Sequence, residues 1–189
     1  PYFIPSDSGV QVLADAAQRG CRVVVLTNSL AANDVAAVHG HYSKYRKALI
    51  MAGVELHELR ADRPMLEFGE SNLAVPSDHI SLHAKTFIFD RQKTFIGSLN
   101  LDARSVYQNT ELGIIVDDSE MASQIAELAL NSLPRFAYQV QLDDQGRMTW
   151  TGLDPDSQEE IILYKEPDAG FWLKAVAWIS RIMPVESQL

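Results

Sequence analysis

The feature that most constrains the fold is an apolar, mostly β-branched run at residues 22–27, Arg-Val-Val-Val-Leu-Thr, which is typical of a strand buried on both faces. A helical pattern follows over residues 37–52 and ends at Gly53, and residues 54–59 predict a second strand. A helix that joins two strands forms a crossover, which makes the strands parallel. We therefore expect an α/β fold with a mixed, mostly parallel sheet flanked by helices on both faces.

The rest of the chain divides into two parts. Before residue 134 the pattern predicts a first helix ending at Gly20, strands at 81–90, 94–96 and 112–116, and a helix at 120–133 that Pro134 ends. After it, short antiparallel strands at 136–142, 148–150 and 161–164 precede an amphipathic helix capped by Asp168. We expect a half-domain over residues 1–134, and a small β-rich appendage with a terminal helix over residues 135–189.

Composition excludes several classes of protein. The chain has 16 Lys and Arg against 25 Asp and Glu, a net charge of −9, which argues against a protein that coats nucleic acid. A single cysteine excludes an intrachain disulfide framework. No apolar run approaches the ~20 residues of a membrane-spanning helix. Because the sequence begins at Pro1 in the middle of a strand-like pattern, we expect a fragment of a longer protein.

Four polar side chains in two short segments indicate a phosphate site. On a strand His83 and Lys85 project from one side, and Ser98 and Asn100 are also two residues apart. A buried lysine needs an anion, and lysine, serine, asparagine and histidine together suit a phosphoryl group. Because no carboxylate pair accompanies them, we expect no metal and no cofactor.

These residues carry a family resemblance. The pattern His83-x-Lys85-x4-Asp90-x6-Gly97-Ser98-x-Asn100 resembles the HKD motif of the phospholipase D superfamily. Other segments are similar to bacterial cardiolipin synthases with two such motifs; they are Asn28-Ser29-Leu30, the helix with His39 and Tyr42, Gly53-Val54-Glu55-Leu56 and the helix beginning Phe171-Trp172. The resemblance covers nearly the whole chain and implies the C-terminal half of such an enzyme.

The resemblance implies a mechanism and roles for these residues. In the family two HKD motifs meet at a pseudo-two-fold axis; one histidine attacks phosphorus to form a phosphohistidine, and the other protonates the leaving alcohol. His83 would be one of this pair, more often the acid and base. Lys85 and Asn100 would stabilise the phosphate with help from Ser98. The matched segments add four candidate substrate-binding residues, Asn28, Ser29, His39 and Tyr42.

Three further residues near the motif have distinct predicted roles. Asp90 is seven residues after His83, on the opposite strand face, and it opens a turn, so we expect it to be structural. Gly97 is also expected to be structural. Glu111 is the better candidate for a carboxylate that orients an imidazole; in the family this partner reaches the histidine of the other half.

The expected function of the parent protein is phosphatidyl transfer from a phospholipid to an alcohol, making cardiolipin. Its partners would be the phospholipid and an N-terminal half with a second HKD motif, or a second copy in a dimer, with no nucleic acid. We expect peripheral association with the cytoplasmic side of a bacterial inner membrane.

Alternatives remain open. The parent protein is alternatively a hydrolytic phosphodiesterase acting on phospholipid or nucleic acid, and the chain is alternatively an inert half that serves in assembly. The C-terminal helix suits a membrane interface or docking on protein, and we favour docking. His39 and His41 are two apart on a helix, so we expect them at the site rim or on the surface rather than on a metal.

Overall fold

The computed structural model describes residues 1–62, 82–154 and 156–183. In chain order, the elements are α1 Ser6–Gln18, β1 Val24–Asn28, α2 Ala36–Tyr42, α3 Arg46–Met51, β2 Glu55–Leu59, β3 Lys85–Phe89, β4 Lys93–Gly97, α4 Ala103–Tyr107, β5 Gly113–Asp117, α5 Ser119–Phe136, β6 Ala137–Leu142, β7 Met148–Leu153, β8 Glu160–Leu163 and α6 Phe171–Ile182. The α/β class is confirmed. The helix predicted over 37–52 is interrupted at residues 43–45, and the predicted strand at 81–90 begins outside the described residues.

The first sheet has five strands in the order β1-β2-β6-β7-β8. Only β1 and β2 run parallel, since β2–β6, β6–β7 and β7–β8 are antiparallel. The expectation of mostly parallel pairing is therefore wrong for the described strands. Two of the antiparallel pairs follow short turns, such as the one at Gly146 with φ +71°, because a short turn reverses the chain. The third, between β2 and β6, joins segments that are distant in the chain.

The second sheet contains the motif. It has three strands in the order β3-β4-β5, all antiparallel. Lys85 pairs with Gly97, which in turn pairs with Gly113, so the beginning of β3 meets the end of β4. This register brings His83 and Lys85 near Ser98 although they are more than ten residues apart in sequence.

The main core lies where α2 and α3 pack on the first sheet. Tyr42 and Leu49 from the helices meet Leu56, Val140 and Trp150 from the strands. The beginning of β1 is only half-buried, because Val24 and Val25 are partly exposed, so burial on both faces holds only for its end. The burial of these apolar side chains supplies most of the stability of this layer.

The C-terminal strands continue the first sheet. Leu59 of β2 pairs with Ala137 of β6, and α5 runs through Pro134 to Phe136 instead of ending there. The domain boundary at residue 134 stays a prediction.

The terminal helix α6 packs against α2. Its buried residues are Ala177 and Ser180, and a Cβ on Gly40 would overlap the carbonyl oxygen of Ala177, so the two helices approach closely. The helix begins after Gly170 with no side-chain cap, so the cap predicted at Asp168 is wrong. No helix in the described ranges is long and apolar enough to cross a membrane.

Candidate active site

His83 and Lys85 are in direct contact at the beginning of β3. Lys85 Nζ lies 2.9 Å from His83 Nε2, and it also donates to the His83 carbonyl oxygen at 3.1 Å. The two side chains project from the same side of the segment, as the alternation of a strand predicts. An ammonium and an imidazole are thus held within reach of one small ligand.

This pair lies at an open surface. His83 is exposed and Lys85 is half-buried. Burial lowers the pKa of Lys85, and the nearby charges of Glu111, Asp34 and Asp102 partly offset that effect. The site therefore combines a cation with free access from solvent, which suits binding of an anionic substrate.

Ser98 and Glu111 are bonded to each other beside this pair. Ser98 Oγ donates to Glu111 Oε2 at 2.5 Å and accepts from the Leu112 backbone N–H at 3.0 Å. The hydrogen bond from Ser98 is the main reason that the pKa of Glu111 is lowered, so the carboxylate stays ionised. Glu111 is bonded here to Ser98 and Asn109. Its role toward an imidazole of another half stays a prediction.

Asn100 presents an unsatisfied polar group. Its Oδ1 is buried and has no hydrogen-bond partner within the described part of the chain. A buried amide without partners is unfavourable unless a ligand or another chain completes it. Because an amide oxygen only accepts hydrogen bonds, this atom calls for a donor group. The phosphate-binding role that the resemblance implies for Asn100 would use its Nδ2 group and stays a prediction.

Gly97 is required by close packing. A Cβ at Gly97 would lie 2.5 Å from the Leu112 carbonyl oxygen and 2.8 Å from Cζ of Phe95. The Phe95 ring also overlaps the position of a Cβ on Gly113, so the ring lies flat over two glycines next to Lys85. This packing supports the structural role predicted for Gly97.

Asp90 is remote from the pair. It lies in the turn between β3 and β4, where Asp90 and Arg91 have φ of +52° and +54°. Five residues along a strand separate it from Lys85, or roughly 16 Å at the usual rise. A short polar side chain tolerates this left-handed backbone better than most, which supports the structural role predicted for Asp90.

The four candidate substrate-binding residues are all buried. Asn28 and Ser29 are 0% exposed, His39 is 1% exposed and Tyr42 is 2% exposed. Asn28 accepts from the Leu82 N–H at 2.8 Å and donates to the Leu82 carbonyl at 3.1 Å, while Ser29 Oγ accepts from the Ala32 N–H. These contacts within the chain argue against direct contact with substrate.

His39 and Tyr42 belong to a buried charge network that the sequence did not reveal. Arg46 Nη2 contacts His39 Nε2 at 2.6 Å, its Nε lies 2.7 Å from Glu58 Oε1, and it also pairs with Glu166. Tyr42 donates to Glu58. The position predicted for His39 and His41, at the site rim or on the surface, is wrong, since they are 1% and 0% exposed. His39 contacts Arg46 and Glu166, and Glu166 is so distant in sequence that no local pattern pointed to it.

The network resembles a metal site in composition. Ligand atoms of His39, Glu58 and Glu166 lie within 4.8 Å of one another. However, the Arg46 guanidinium contacts all three groups and places a positive charge between the buried Glu58 and the partly exposed Glu166. These residues therefore form an arginine-centred ion cluster.

Comparison with known proteins identifies the family. Residues 1–131 match the family described as "Cardiolipin synthase, PLD-like domain", where PLD stands for phospholipase D. The chain belongs to this phospholipase D-like family. Cardiolipin synthase C of Escherichia coli strain K12 is 40% identical over 185 residues, which cover 98% of this chain and 39% of that protein. Cardiolipin synthase A of Yersinia pseudotuberculosis is 28% identical over 137 residues, covering 72% of this chain and 24% of that protein.

Solved structures share the phospholipase D fold. The phospholipase D family member Nuc from Salmonella typhimurium superposes with a TM-score of 0.52 at 14% identity, covering 74% of this chain and 78% of that one. Phosphatidylserine synthase from Haemophilus influenzae superposes with a TM-score of 0.54 at 16% identity, covering 74% and 32%. The chain spans about two fifths of the length of the E. coli cardiolipin synthase that it matches.

Proposed function

We propose that the protein containing this chain transfers a phosphatidyl group from a phospholipid to an alcohol, and that it makes cardiolipin. The observation that carries the proposal is the contact between Lys85 and His83, whose Nζ and Nε2 lie 2.9 Å apart at an open surface. A phosphoryl oxygen bound to Nζ places its phosphorus within reach of the imidazole. The relatives named cardiolipin synthase supply the substrate class.

The chemistry proceeds in two displacements. In the first, the nucleophilic imidazole forms a P–N bond while the P–O bond to the leaving alcohol breaks, and that alcohol takes a proton from the second imidazole. In the second, the acceptor alcohol gives its proton to the second imidazole and forms a P–O bond as the P–N bond breaks. We assign the acid and base role to His83, and the nucleophile to the histidine of a second motif.

Lys85 and Asn100 stabilise the charge on the phosphoryl oxygens, and Ser98 assists them. Lys85 is the cation, Asn100 donates through its amide Nδ2, and Ser98 donates its hydroxyl proton to Glu111 and so holds that carboxylate beside the site. Fixed donors of this kind lower the barrier because they need no reorganisation when charge develops. The step requires no metal.

The printed sequence contains one His-x-Lys pattern, at His83 and Lys85, so the second imidazole must come from elsewhere. We propose a second HKD motif in the same protein, or a second copy of this chain. Large apolar residues exposed next to the site support such a partner, since Leu112, Ile114 and Ile115 are 79%, 59% and 67% exposed. Without that partner the chain is an inert half.

The second candidate function is hydrolysis of a phosphodiester. The exposure of His83 favours it, because water can reach the site. Product analysis separates the two. The full-length protein is incubated with a phospholipid donor and the lipids are resolved: cardiolipin supports transfer, whereas phosphatidic acid alone shows hydrolysis.

We also propose that the protein acts as a peripheral enzyme at the cytoplasmic side of a bacterial inner membrane. The support is the phospholipid substrate of the proposed reaction and the apolar exposed face of α6. Fractionation of cells tests this proposal: the protein should sediment with inner membranes, and recovery in the soluble fraction alone would contradict it.

A further inference from the structure

One side of α6 is apolar and exposed. Its side chains, here called the outer face of α6, are Phe171, Trp172, Trp178, Ile179 and Ile182. Trp172 is 80% exposed, Trp178 is 64% exposed and Ile182 is 68% exposed. Scattered apolar residues are normal on a protein surface. A contiguous apolar face on one short helix instead indicates a contact with a membrane or with another molecule.

Within this chain α6 packs through the side opposite to the outer face. The opposite side of α6, with Ala177 and Ser180, is the side that packs, and it approaches α2 closely at Gly40. The predicted docking of this helix on protein therefore takes place through its small residues. The aromatic residues point away from that contact and are left free for a second one.

We propose that the outer face of α6 docks on the interface of an anionic phospholipid bilayer, a proposal that rests on the proposed function. Charge favours this occupant. Residues 171–183 include Lys174 and Arg181 and no Asp or Glu, although the whole chain has a net charge of −9. A helix with aromatic residues on one side and only positive charges is suited to lie in the plane of anionic headgroups.

The position of α6 relates this surface to the active site. The helix beneath it, α2, follows β1 in the chain, and β1 ends at Asn28, whose side chain is bonded to Leu82 next to His83. The helix under α6 is thus connected, through β1 and Asn28, to the residue that precedes His83.

Vesicle flotation tests the proposal in the full-length protein, using the inactive variant His83→Ala so that no lipid is consumed. Replacement of both Trp172 and Trp178 by Gln should reduce binding to vesicles of phosphatidylglycerol and phosphatidylethanolamine by about tenfold or more. The control replaces Val12 and Met51, which are 66% and 72% exposed on other helices, by Gln and should bind normally. Lys174→Gln with Arg181→Gln should weaken the preference for anionic over zwitterionic vesicles. Unchanged binding of the double tryptophan variant would overturn the proposal.

Tryptophan fluorescence gives an independent measurement. Within this chain Trp150 is buried at 4% exposure, so the difference in emission between the protein and a variant with Trp172 and Trp178 replaced by Phe reports on the outer face. Anionic vesicles should shift their emission to shorter wavelength, and brominated acyl chains should quench it. A variant with both replaced by Phe keeps an aromatic face and should bind without the shift.

Another protein surface is the competing occupant. If the outer face is covered by a second copy or by another part of the protein, vesicles leave the emission unchanged, and the Gln variant changes the oligomeric state on gel filtration. Either result would overturn the proposal. Because binding is measured without turnover, failure of docking and failure of the proposed reaction are separate results.

Discussion

The side chain of Asn28 pairs with the backbone of Leu82 through two hydrogen bonds, one accepted by Oδ1 at 2.8 Å and one donated by Nδ2 at 3.1 Å. The Asn28 amide thus makes with the Leu82 backbone the two hydrogen bonds that a neighbouring strand would make. It connects the end of β1 to the residue before His83. The described strands form two separate sheets, and this contact links them beside the motif. We expect the position of the His83 imidazole to depend on this buried side chain, which need not touch substrate.

Asn28→Asp should lower kcat by about 10- to 100-fold, since it places a carboxylate against the Leu82 carbonyl and displaces His83 from a productive position. Steady-state kinetics on the full-length protein should show KM nearly unchanged. Ser29→Ala is the matched control, because it removes a neighbouring buried hydrogen bond to Ala32 and should affect stability alone. A normal kcat in Asn28→Asp would show that the contact does not position His83.

Substitutions at Asp90 should change the free energy of unfolding according to the backbone preference of the new residue, and they should leave the turnover rate nearly unchanged. At φ +52° a glycine is at least as favourable as aspartate, whereas a β-branched residue is strained. Asp90→Gly should leave the free energy of unfolding nearly unchanged, and Asp90→Val should lower it by about 1–2 kcal/mol. Urea denaturation measures both variants. Loss of turnover in a fully stable Asp90→Gly would instead place Asp90 in the chemistry.

The ion cluster around Arg46 should make stability depend on acid pH. Burial alone would raise the pKa of Glu166, but the hydrogen bond from His39 and the charge of Arg46 outweigh it and lower that pKa from 4.5 to about 2. The carboxylate therefore stabilises the fold fully above its unfolded pKa, and this contribution is lost as pH falls from about 4.5 toward 2. The loss is at most about 3 kcal/mol.

Chemical denaturation of Glu166→Gln at several pH values checks this dependence. The variant should be less stable near neutral pH and should show a flatter decline between about pH 4.5 and 2. Glu127→Gln is the control, because its pair with Arg91 is exposed and contributes little. A decline in Glu166→Gln as steep as in the unmodified protein would assign the acid sensitivity to other groups.

Turnover should not depend on a metal. The proposed site uses Lys85 as its cation, and the Arg46 guanidinium already contacts His39, Glu58 and Glu166. The enzyme dialysed against EDTA should keep its full rate. Loss of activity that magnesium alone restores would contradict the proposed mechanism.

Local sequence periodicity predicted the parts of the site that lie close together in the chain. The two-residue alternation placed His83 and Lys85 on one side, and their atoms are in contact. The hairpin around Asp90 is confirmed by the pairing of β3 with β4. Periodicity carries no information on solvent access, and the exposure of His83 is seen only in the structure.

Contacts between distant segments could not be predicted from the sequence. Arg46 and Glu166 are 120 residues apart, and no local pattern pairs them. The buried state of His39 follows from that contact, and for this reason its position was mispredicted. The prediction of strand direction failed for the same reason. The crossover rule correctly predicted that β1 and β2 are parallel. No local signal indicated that β6 pairs with β2 in the antiparallel direction.

The most direct test of the account is formation of cardiolipin by the full-length protein with and without the His83 imidazole. The unmodified enzyme should convert a phospholipid donor to cardiolipin, and His83→Ala should make none while its circular dichroism spectrum and melting temperature stay unchanged, because His83 is exposed and not part of the core. Cardiolipin formation by His83→Ala at a rate near that of the unmodified enzyme would contradict the account.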